Sequence, residues 1–350
     1  METKVVRIEN PEIQHEEIEE AAKLIRSGQV VAFPTETVYG LGANALDENA
    51  VQRIFLAKGR PSDNPLIVHI SRLEDVERLA AEIPPKAVKA MEAFWPGPLT
   101  VILKKTEIVP FGVTAGLNTV GIRMPKNAIA RSLIEASGVP IAAPSANLSG
   151  RPSPTTAEHV LADMKGRIPM LIDGGKCEVG LESTVLDMTS EVPVILRPGG
   201  VTLESLWKLL GRVEVDPGVL SPIKGDGKVK SPGMKYTHYA PRASVVIIRG
   251  DREKQIREIQ RMAKNYVEEG KRVGILATEE TKACYRDGQV LVLGSRVKPA
   301  TLAANLFMKL REFDDLKVDI ILAEGVEAAE EGLAVMNRMI RAAGFHVIDV

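Results

Sequence analysis

The sequence predicts an α/β protein with two domains, and three observations carry this prediction. The chain has 350 residues, whereas one domain typically takes about 150. Short apolar runs of strand length alternate with segments of helical periodicity on both sides of residues 213–243. That segment is rich in proline and glycine, which interrupt helices and inner strands, so it predicts a linker between the domains.

The first domain opens with a helix over 16–27, where apolar residues recur at helical spacing up to Gly28, a favourable C-cap. Apolar runs bounded by turn residues then predict strands at 30–33, 66–70, 100–103, 119–123, 141–143, 170–173 and 183–188. Further helices are predicted at 50–57, 73–81, 85–94, 128–137 and 156–161. Because these helices are short and unevenly placed, the pattern predicts a mixed α+β or α/β domain rather than a regular doubly wound sheet.

The second domain has the more regular pattern. Strands are predicted at 244–248, 272–277, 290–293, 318–323 and 346–349, and helices at 252–269, 300–315 and 334–343. This alternation favours a small parallel sheet between two helical layers. The linker ahead of it carries Lys235, Tyr236, His238 and Tyr239, so we expect its second half to pack on the protein.

Composition excludes several functional classes. Lys and Arg number 45 against 46 Asp and Glu, which leaves a formal net charge of -1, so any polyanion site must be local. The two cysteines, Cys177 and Cys284, provide neither a disulfide framework nor a zinc ribbon. Neither a signal-peptide pattern nor an apolar run near the ~18 residues of a membrane span is present. We therefore expect a cytoplasmic protein without a membrane segment.

Two kinds of generic motif are weak indicators here. Gly40, Gly42 and Ala45 match a relaxed G-x-G-x-x-A, which would indicate a nicotinamide dinucleotide site if it formed a tight turn between a strand and a helix. The five histidines show no metal-ligand spacing, and a single histidine is more often structural than catalytic.

Cations and small polar residues follow several predicted elements. Lys58 and Arg60 end a short helix, where they indicate either a phosphate site or a solvated basic turn. Serines and an asparagine fill the loop 142–153 after a buried strand, and Arg123, Ser183 and Arg197 lie beside other strands. This set suits the binding and orientation of an anionic substrate more than proton transfer.

The longer motifs resemble the threonylcarbamoyl-AMP synthase family over nearly the whole chain. Those in the first domain are Pro34–Gly42, Lys58–Pro61 with Asn64–Leu66, Trp95–Thr100 and Pro144–Gly150. Ser231–Pro241 and Gly332–Arg338 resemble the linker and C-terminal domain of the longer, two-domain form. The resemblance implies a twisted-sheet YrdC-like α/β domain with a concave basic cavity over 1–212. A linker that acts as a lid would cover 213–243, and a small Rossmann-like α/β/α domain would cover 244–350.

The same resemblance implies the reaction. L-threonine, bicarbonate or CO2, and ATP give threonylcarbamoyl-AMP and pyrophosphate, and a tRNA threonylcarbamoyl-transferase receives the product to form N6-threonylcarbamoyladenosine next to the anticodon. By resemblance, the threonine site contains Thr37, His69, Arg123 and Ser183. The residues implied for ATP are Lys58, Arg60, Asn64, Thr119, Ala143, Ser145, Asn147, Ser153, Arg197 and His238. Mg2+ is expected on the ATP phosphates, without a dedicated carboxylate cage.

Two alternatives stay open at this point. The cations Lys58, Arg60, Arg123 and Arg197 would also suit an RNA-binding module without chemistry of its own, although the neutral net charge argues against it. A weak contact of the enzyme with RNA is a lesser form of the same idea. For the C-terminal domain the sequence indicates a structural or regulatory role, because it carries no phosphate-binding loop.

Overall fold

A computed structural model describes residues 2–222, 230–232 and 238–350. The chain forms two compact units, which are described separately. The first is built mainly from Met1–Ser149 and Ser153–Val219. The second is built mainly from Tyr236–Val350, with Gly150–Pro152 and Leu220–Pro222. No helix among the described residues is long and apolar enough to cross a membrane.

The first unit contains a mixed sheet of eleven strands among its described residues. They are β1 (Lys4–Arg7), β2 (Val31–Phe33), β3 (Gly40–Asn44), β4 (Ile67–His69), β5 (Leu99–Lys104), β6 (Thr119–Arg123), β7 (Ile141–Ala142), β8 (Met170–Asp173), β9 (Thr184–Asp187), β10 (Val194–Arg197) and β11 (Glu214–Val215). Their order across the sheet is β1-β8-β2-β3-β7-β4-β6-β5-β9-β10-β11. Strands distant in sequence therefore lie side by side at its centre.

Helices pack on both faces of this sheet. They are α1 (His15–Arg26), α2 (Glu48–Lys58), α3 (Asp75–Leu79), α4 (Pro85–Phe94), α5 (Phe111–Thr114), α6 (Ala128–Ser137), α7 (Ala157–Met164) and α8 (Leu203–Leu210). The larger core lies on one face and includes Val68, Val101 and Ile122 of the central strands. The second core lies on the other face, where α1 and α6 cover Phe33 and Ile141.

The second face continues beyond that core as a partly open surface. Successive residues of a strand point to opposite faces, so Val120 and Ile122 enter the larger core while Thr119, Gly121 and Arg123 point to the other side. Thr119 and Gly121 stay half-buried although β6 has a strand on each side. This exposed stretch in the middle of the sheet provides the floor of the candidate site.

The second unit is a parallel α/β/α sandwich. Its strands are β12 (Ser244–Arg249), β13 (Val273–Ala277), β14 (Gln289–Val292), β15 (Ile320–Glu324) and β16 (Val347–Asp349), in the order β14-β13-β15-β12-β16. All neighbouring pairs run parallel. Helix α9 (Arg252–Glu268) packs on one face. Helices α10 (Pro299–Asp315) and α11 (Glu331–Ala342) pack together, with Phe313 of α10 against Gly274 on the other face.

The predicted fold class is confirmed. The unit of residues 236–350 has the predicted layers, although its strand order is 3-2-4-1-5 in chain order and the dinucleotide-binding fold has 3-2-1-4-5. In the first unit, the strands β1, β3, β10 and β11 and the helices α5 and α8 were not predicted. The interpretation of Gly40 and Gly42 as a dinucleotide turn is wrong, because both lie inside strand β3, paired with β2.

Candidate active site

The strand order gathers four of the predicted side chains at one end of the central strands. His69 and Arg123 end the parallel neighbours β4 and β6 and are register partners. Strand β5 runs antiparallel to β6, so its first residues lie beside Arg123. Ser183 precedes β9, which is parallel to β5, and Arg197 ends β10, which is antiparallel to β9. All four residues therefore lie at the same end of these neighbouring strands.

Arg123 is the most constrained of these groups. Its Nη2 donates to Glu36 Oε1 at 2.6 Å, its Nη1 to Thr37 Oγ1 at 2.9 Å and its Nε to Gly97 O at 3.3 Å. Glu36 and Thr37 follow β2, and the Arg123–Glu36 pair is 4% exposed on both sides. The guanidinium has five N–H groups, and these contacts use three of them. Two N–H groups therefore have no partner among the described residues.

His69 is buried beside this pair. Its ring lies edge-on to Phe33 at 6.3 Å between centroids, and its Nδ1 has no hydrogen-bond partner within the described ranges. Burial and the nearby charge of Arg123 lower the imidazole pKa from 6.5 to about 3. His69 is consequently neutral at physiological pH and can accept or donate a hydrogen bond without carrying charge.

Ser183 and Arg197 form a second rigid contact. Arg197 donates to the Ser183 carbonyl from Nε at 3.1 Å and from Nη2 at 3.0 Å, and Ser183 Oγ lies 2.7 Å from Thr100 Oγ1. The pairing register of β10 with β9 shifts between Ile195 and Arg197. Arg197 therefore does not continue the regular alternation of side chains along β10. Gly199 packs against the same backbone, where a Cβ would come within 2.3 Å of Glu182 O.

A second polar group lies at the opposite end of β4. Lys58, the last residue of α2, is 3% exposed, and its Nζ donates to Asn147 O at 2.6 Å and to Ser145 O at 2.5 Å. Ser145 Oγ in turn donates to Asn147 Oδ1 at 2.5 Å. The alternative of a solvated basic turn is therefore wrong for Lys58, whose ammonium holds the loop after β7.

Other residues predicted for ATP surround this loop. Arg60 is half-buried and donates to Asn64 O at 3.1 Å. Asn64 is 1% exposed, and neither polar atom of its side chain has a partner among the residues described. The Ala143 amide donates to Ile67 O at 2.9 Å. Thr119, at the start of β6, lies four residues from Arg123, about 13 Å along the strand.

Three predicted residues are placed differently from this group. Arg197 and Ser153 belong to the edge that carries Arg123, because Ser153 Oγ donates to Glu182 Oε1, next to Ser183. The predicted ATP residues thus divide between both ends of the central strands. His238 belongs to the second unit, beside the ring of Tyr239 at 5.7 Å. Residues 223–229 and 233–237 of the predicted lid lie outside the described residues.

The described part of the linker is tied to the first unit. Lys230 Nζ donates to Asp187 Oδ2 at 2.8 Å, and Ser231 is fully buried. Pro232 O accepts a hydrogen bond from Arg197 Nη1 at 3.5 Å. The expectation that this segment packs on the protein is therefore confirmed for residues 230–232.

Comparisons with known proteins match both parts of the chain. A family model described as "Telomere recombination" matches residues 23–199, and one described as "Threonylcarbamoyl-AMP synthase, C-terminal domain" matches residues 201–344. The threonylcarbamoyl-AMP synthase of Pyrococcus abyssi is 52% identical over 338 residues, 97% of each chain. The chain belongs to the threonylcarbamoyl-AMP synthase family. The Bacillus subtilis member is 51% identical over 333 residues, 95% of this chain and 94% of that protein.

A solved structure agrees with this assignment. The crystal structure of Pyrococcus abyssi Sua5 complexed with L-threonine has a TM-score of 0.94 and 51% sequence identity, with 99% of this chain and 100% of that chain covered. Membership of the threonylcarbamoyl-AMP synthase family confirms the prediction of an enzyme over an RNA-binding module. The geometry is consistent with this outcome, since Lys58, Arg123 and Arg197 are at most 5% exposed and contact carbonyl or carboxylate oxygens instead of forming an open groove.

Sequence reasoning missed three residues of this candidate site. Glu36 holds Arg123, Glu182 accepts from Ser153, and Thr100 contacts Ser183. All three are within or next to motifs that the sequence analysis singled out. Their motif positions were the available signal, but the pairing of Glu36 with Arg123 spans 87 residues and depends on the strand order.

Proposed function

We propose that this chain forms threonylcarbamoyl-AMP from L-threonine, bicarbonate or CO2, and ATP, with release of pyrophosphate, for modification of tRNA next to the anticodon. One observation carries the proposal beyond family membership. Two polar groups, one around Arg123 and one around Lys58, lie at the two ends of β4 and β6. Two anion-binding groups separated by the length of a short strand can hold an amino acid and a nucleotide end to end.

The Arg123 end is the proposed threonine subsite, formed with Thr37, His69 and Ser183. Arg123 still has two N–H groups after its contacts with the described residues, and a carboxylate accepts from such a fork in two places. Because Glu36 neutralises part of its charge and fixes its orientation, Arg123 is positioned before substrate arrives. The related Pyrococcus abyssi Sua5 was solved in complex with L-threonine, which supports threonine as the amino acid that this subsite would take.

The Lys58 end is the proposed ATP subsite. Ser145, Asn147, the Ala143 backbone and the unpartnered amide of Asn64 offer hydrogen bonds, while Arg60 supplies a half-exposed cation. Lys58 acts beneath this loop: its ammonium fixes Ser145 and Asn147 and adds positive charge behind the phosphates. Thr119 completes the floor, and His238 remains a predicted ATP contact from the second unit.

Arg197 and Ser153 lie at the threonine end of the strands, and we propose that the α-phosphate of ATP reaches them there. In the proposed reaction an oxygen of the threonine carbamate attacks the α-phosphorus of ATP, a new P–O bond forms, and the bond to pyrophosphate breaks. Negative charge grows on the α-phosphoryl oxygens during this step, so a fixed guanidinium beside the threonine subsite lowers its barrier. Arg197, anchored on Ser183 by two N–H groups, has that position.

Mg2+ is part of the proposal as the companion of ATP. Among the described residues no group of three His, Cys, Asp or Glu side chains is placed to hold a metal ion. Phosphate oxygens and water are the ligands that Mg2+ commonly takes in nucleotide enzymes, so the triphosphate would supply most of its coordination. We propose further that the product passes to a tRNA threonylcarbamoyl-transferase, that any RNA contact is weak, and that the enzyme works in the cytoplasm.

Pyrophosphate release tests the reaction. The protein is incubated with ATP and Mg2+ while threonine and bicarbonate are each supplied or omitted. Release that needs both co-substrates and collapses in Arg60→Ala, but not in the exposed control Arg7→Ala, is the expected result. Release without threonine would indicate a plain ATP hydrolase. No release under any combination would favour the RNA-binding module.

A further inference from the structure

The second unit contains a cavity of about 430 Å³ at the carboxyl ends of two neighbouring strands. Its walls include Arg249, the last residue of β12, and Gly250, which follows it, together with Gly325 and Val326 after β15. From β12 the chain continues into α9 on one face of the sheet, and from β15 it continues into α11, which packs with α10 on the other face. Adjacent parallel strands whose connections leave on opposite faces open a crevice at their ends, where α/β proteins commonly bind ligands.

The size and lining of this cavity suit a small organic molecule. Ligand pockets in proteins typically measure about 300–1,000 Å³. The lining of the cavity includes the apolar side chains of Leu220, Val326, Met336 and Ile340. An apolar wall next to a few fixed polar groups is the usual composition of a ligand site.

Three arginines also line the cavity. Arg249 is paired with Asp349 at 2.7 Å, and Arg296 donates to the buried Glu324 at 2.9 Å. Arg252, the first residue of α9, is exposed. A cation at a helix N-terminus opposes the helix dipole, and a bound anion would relieve this opposition. Glu327 is the carboxylate among the lining residues.

Arg296 is held as firmly as Arg123 is in the first unit. Its partner Glu324 is 1% exposed and also accepts from the Tyr285 hydroxyl at 2.5 Å and from Thr278 Oγ1 at 3.0 Å. A further donor, Arg296 Nε, contacts Thr278 Oγ1 at 3.2 Å. The guanidinium is therefore fixed at the cavity wall by a network of buried groups.

Gln255 adds an independent observation. It lines the cavity, is 4% exposed, and its Nε2 donates to Gly250 O at 2.7 Å. Its Oε1 is buried and accepts no hydrogen bond from any described residue. Buried polar atoms are nearly always paired, so Gln255 has an unsatisfied acceptor beside the cavity.

We propose that this cavity binds a nucleoside monophosphate. Arg252 and Arg296 would face the phosphate, the apolar wall would contact the base, and Gln255 would accept from a hydroxyl or amino group. The proposal does not depend on the reaction of the first unit. A second nucleotide site would make the second unit a sensor of nucleotide level.

Equilibrium dialysis of the full chain with radiolabelled AMP tests the site. We expect one class of AMP binding to weaken at least tenfold in Arg252→Glu, and equally in Ala328→Trp, which fills the cavity from its exposed mouth. The matched control is Arg257→Glu, which removes a cation from the same helix outside the cavity and should bind as the parent does. Repeating the series in Arg60→Ala separates this site from the one proposed in the first unit.

Two results would overturn the proposal. Identical AMP isotherms for the parent, Arg252→Glu and Ala328→Trp would show that the cavity takes no nucleotide. Displacement of AMP by inorganic phosphate at equal concentration would show that the nucleoside contributes nothing, and the assignment to a nucleoside monophosphate would fail.

Discussion

Arg123 Nη2 and Glu36 Oε1 lie 2.6 Å apart in a pair that is almost fully buried. The second carboxylate oxygen of Glu36 accepts from the amides of Lys126 and Asn127, at the start of helix α6. One carboxylate thus links the loop after β2, the end of β6 and the beginning of α6. The orientation of the guanidinium in the proposed threonine subsite follows from this link.

Glu36→Gln should destabilise the first unit and weaken threonine binding. Removing one partner of a buried ion pair leaves an uncompensated charge and typically costs about 3 kcal/mol or more. We expect such a loss in urea unfolding followed by tryptophan fluorescence, because both tryptophans, Trp95 and Trp207, lie in the first unit. KM for threonine should rise more than KM for ATP.

The control is Glu82→Gln, which removes an exposed partner of Lys104. An exposed pair contributes at most about 1 kcal/mol, so this variant should unfold close to the parent. Equal unfolding curves for Glu36→Gln and Glu82→Gln would contradict a structural role for the buried pair.

Lys58→Met should raise KM for ATP at least tenfold. The substitution keeps the apolar stem of the side chain but removes the ammonium that donates to Ser145 O and Asn147 O, so the loop of the proposed ATP subsite loses its support. Steady-state kinetics of pyrophosphate release measures the effect. Lys89→Met, on an exposed position of α4, is the control. If neither variant changed KM for ATP, Lys58 would not support the loop of the proposed ATP subsite.

Gly199→Ala should disturb the contact between Ser183 and Arg197. A Cβ at this position would lie 2.3 Å from both Glu182 O and Thr184 N, which are backbone atoms and cannot rotate away. Overpacking of this kind costs about 3 kcal/mol. Gly138→Ala is the control, since its Cβ would meet open space and only its positive φ should cost about 1 kcal/mol. Urea unfolding of both variants measures the loss of unfolding free energy. Similar losses in Gly199→Ala and Gly138→Ala would contradict the steric explanation.

Sequence patterns predicted the individual elements better than their arrangement. The strands Thr119–Arg123 and Met170–Asp173 and the helices Pro85–Phe94 and Ala128–Ser137 have the predicted bounds, because apolar spacing and caps act locally. Strand β3 was missed, since Gly40 and Gly42 are poor strand formers in isolation. They are needed there because a Cβ at Gly42 would lie 2.7 Å from the Phe33 ring.

The site was predicted as a set of residues but not as a geometry. Charged and hydroxyl side chains beside strands indicated an anion site, and Arg123 and Thr37 are in direct contact. The interior position of Lys58 could not be predicted, because a cation at a helix end is usually solvated. Its burial depends on carbonyl oxygens 87 and 89 residues further along the chain, which only the strand order brings near.

The stability of the first unit should decrease through His69 as the pH falls below about 6.5. The folded imidazole has its pKa lowered to about 3, whereas an unfolded histidine titrates near 6.5. The stabilisation is therefore complete above pH 6.5 and is lost as the pH falls toward 3, because only the unfolded chain takes up the proton. The slope is about 1.4 kcal/mol per pH unit, or about 2 kcal/mol between pH 6.5 and 5.0.

Urea unfolding at pH 7.5 and 5.0 measures this loss. His69→Gln should lose about 2 kcal/mol less than the parent over the same interval, because glutamine takes up no proton. His15→Gln, an exposed control, should follow the parent. An identical pH dependence for His69→Gln and the parent would exclude the burial of a neutral imidazole as its cause.

Removal of residues 213–350 tests the lid predicted from the sequence. The truncated chain loses the edge strand β11 and Val213 but keeps the apolar cores around Val68 and Phe33, so we expect it to fold. Without a cover, water reaches the mixed anhydride between carbamate and phosphate, and the adenylate should escape or hydrolyse faster. His238→Ala in the full chain should show a weaker form of the same effect. Product lifetime, followed by chromatography after ATP is exhausted, is the measurement. A truncated enzyme with the parent's turnover and product lifetime would show that the segment is no lid.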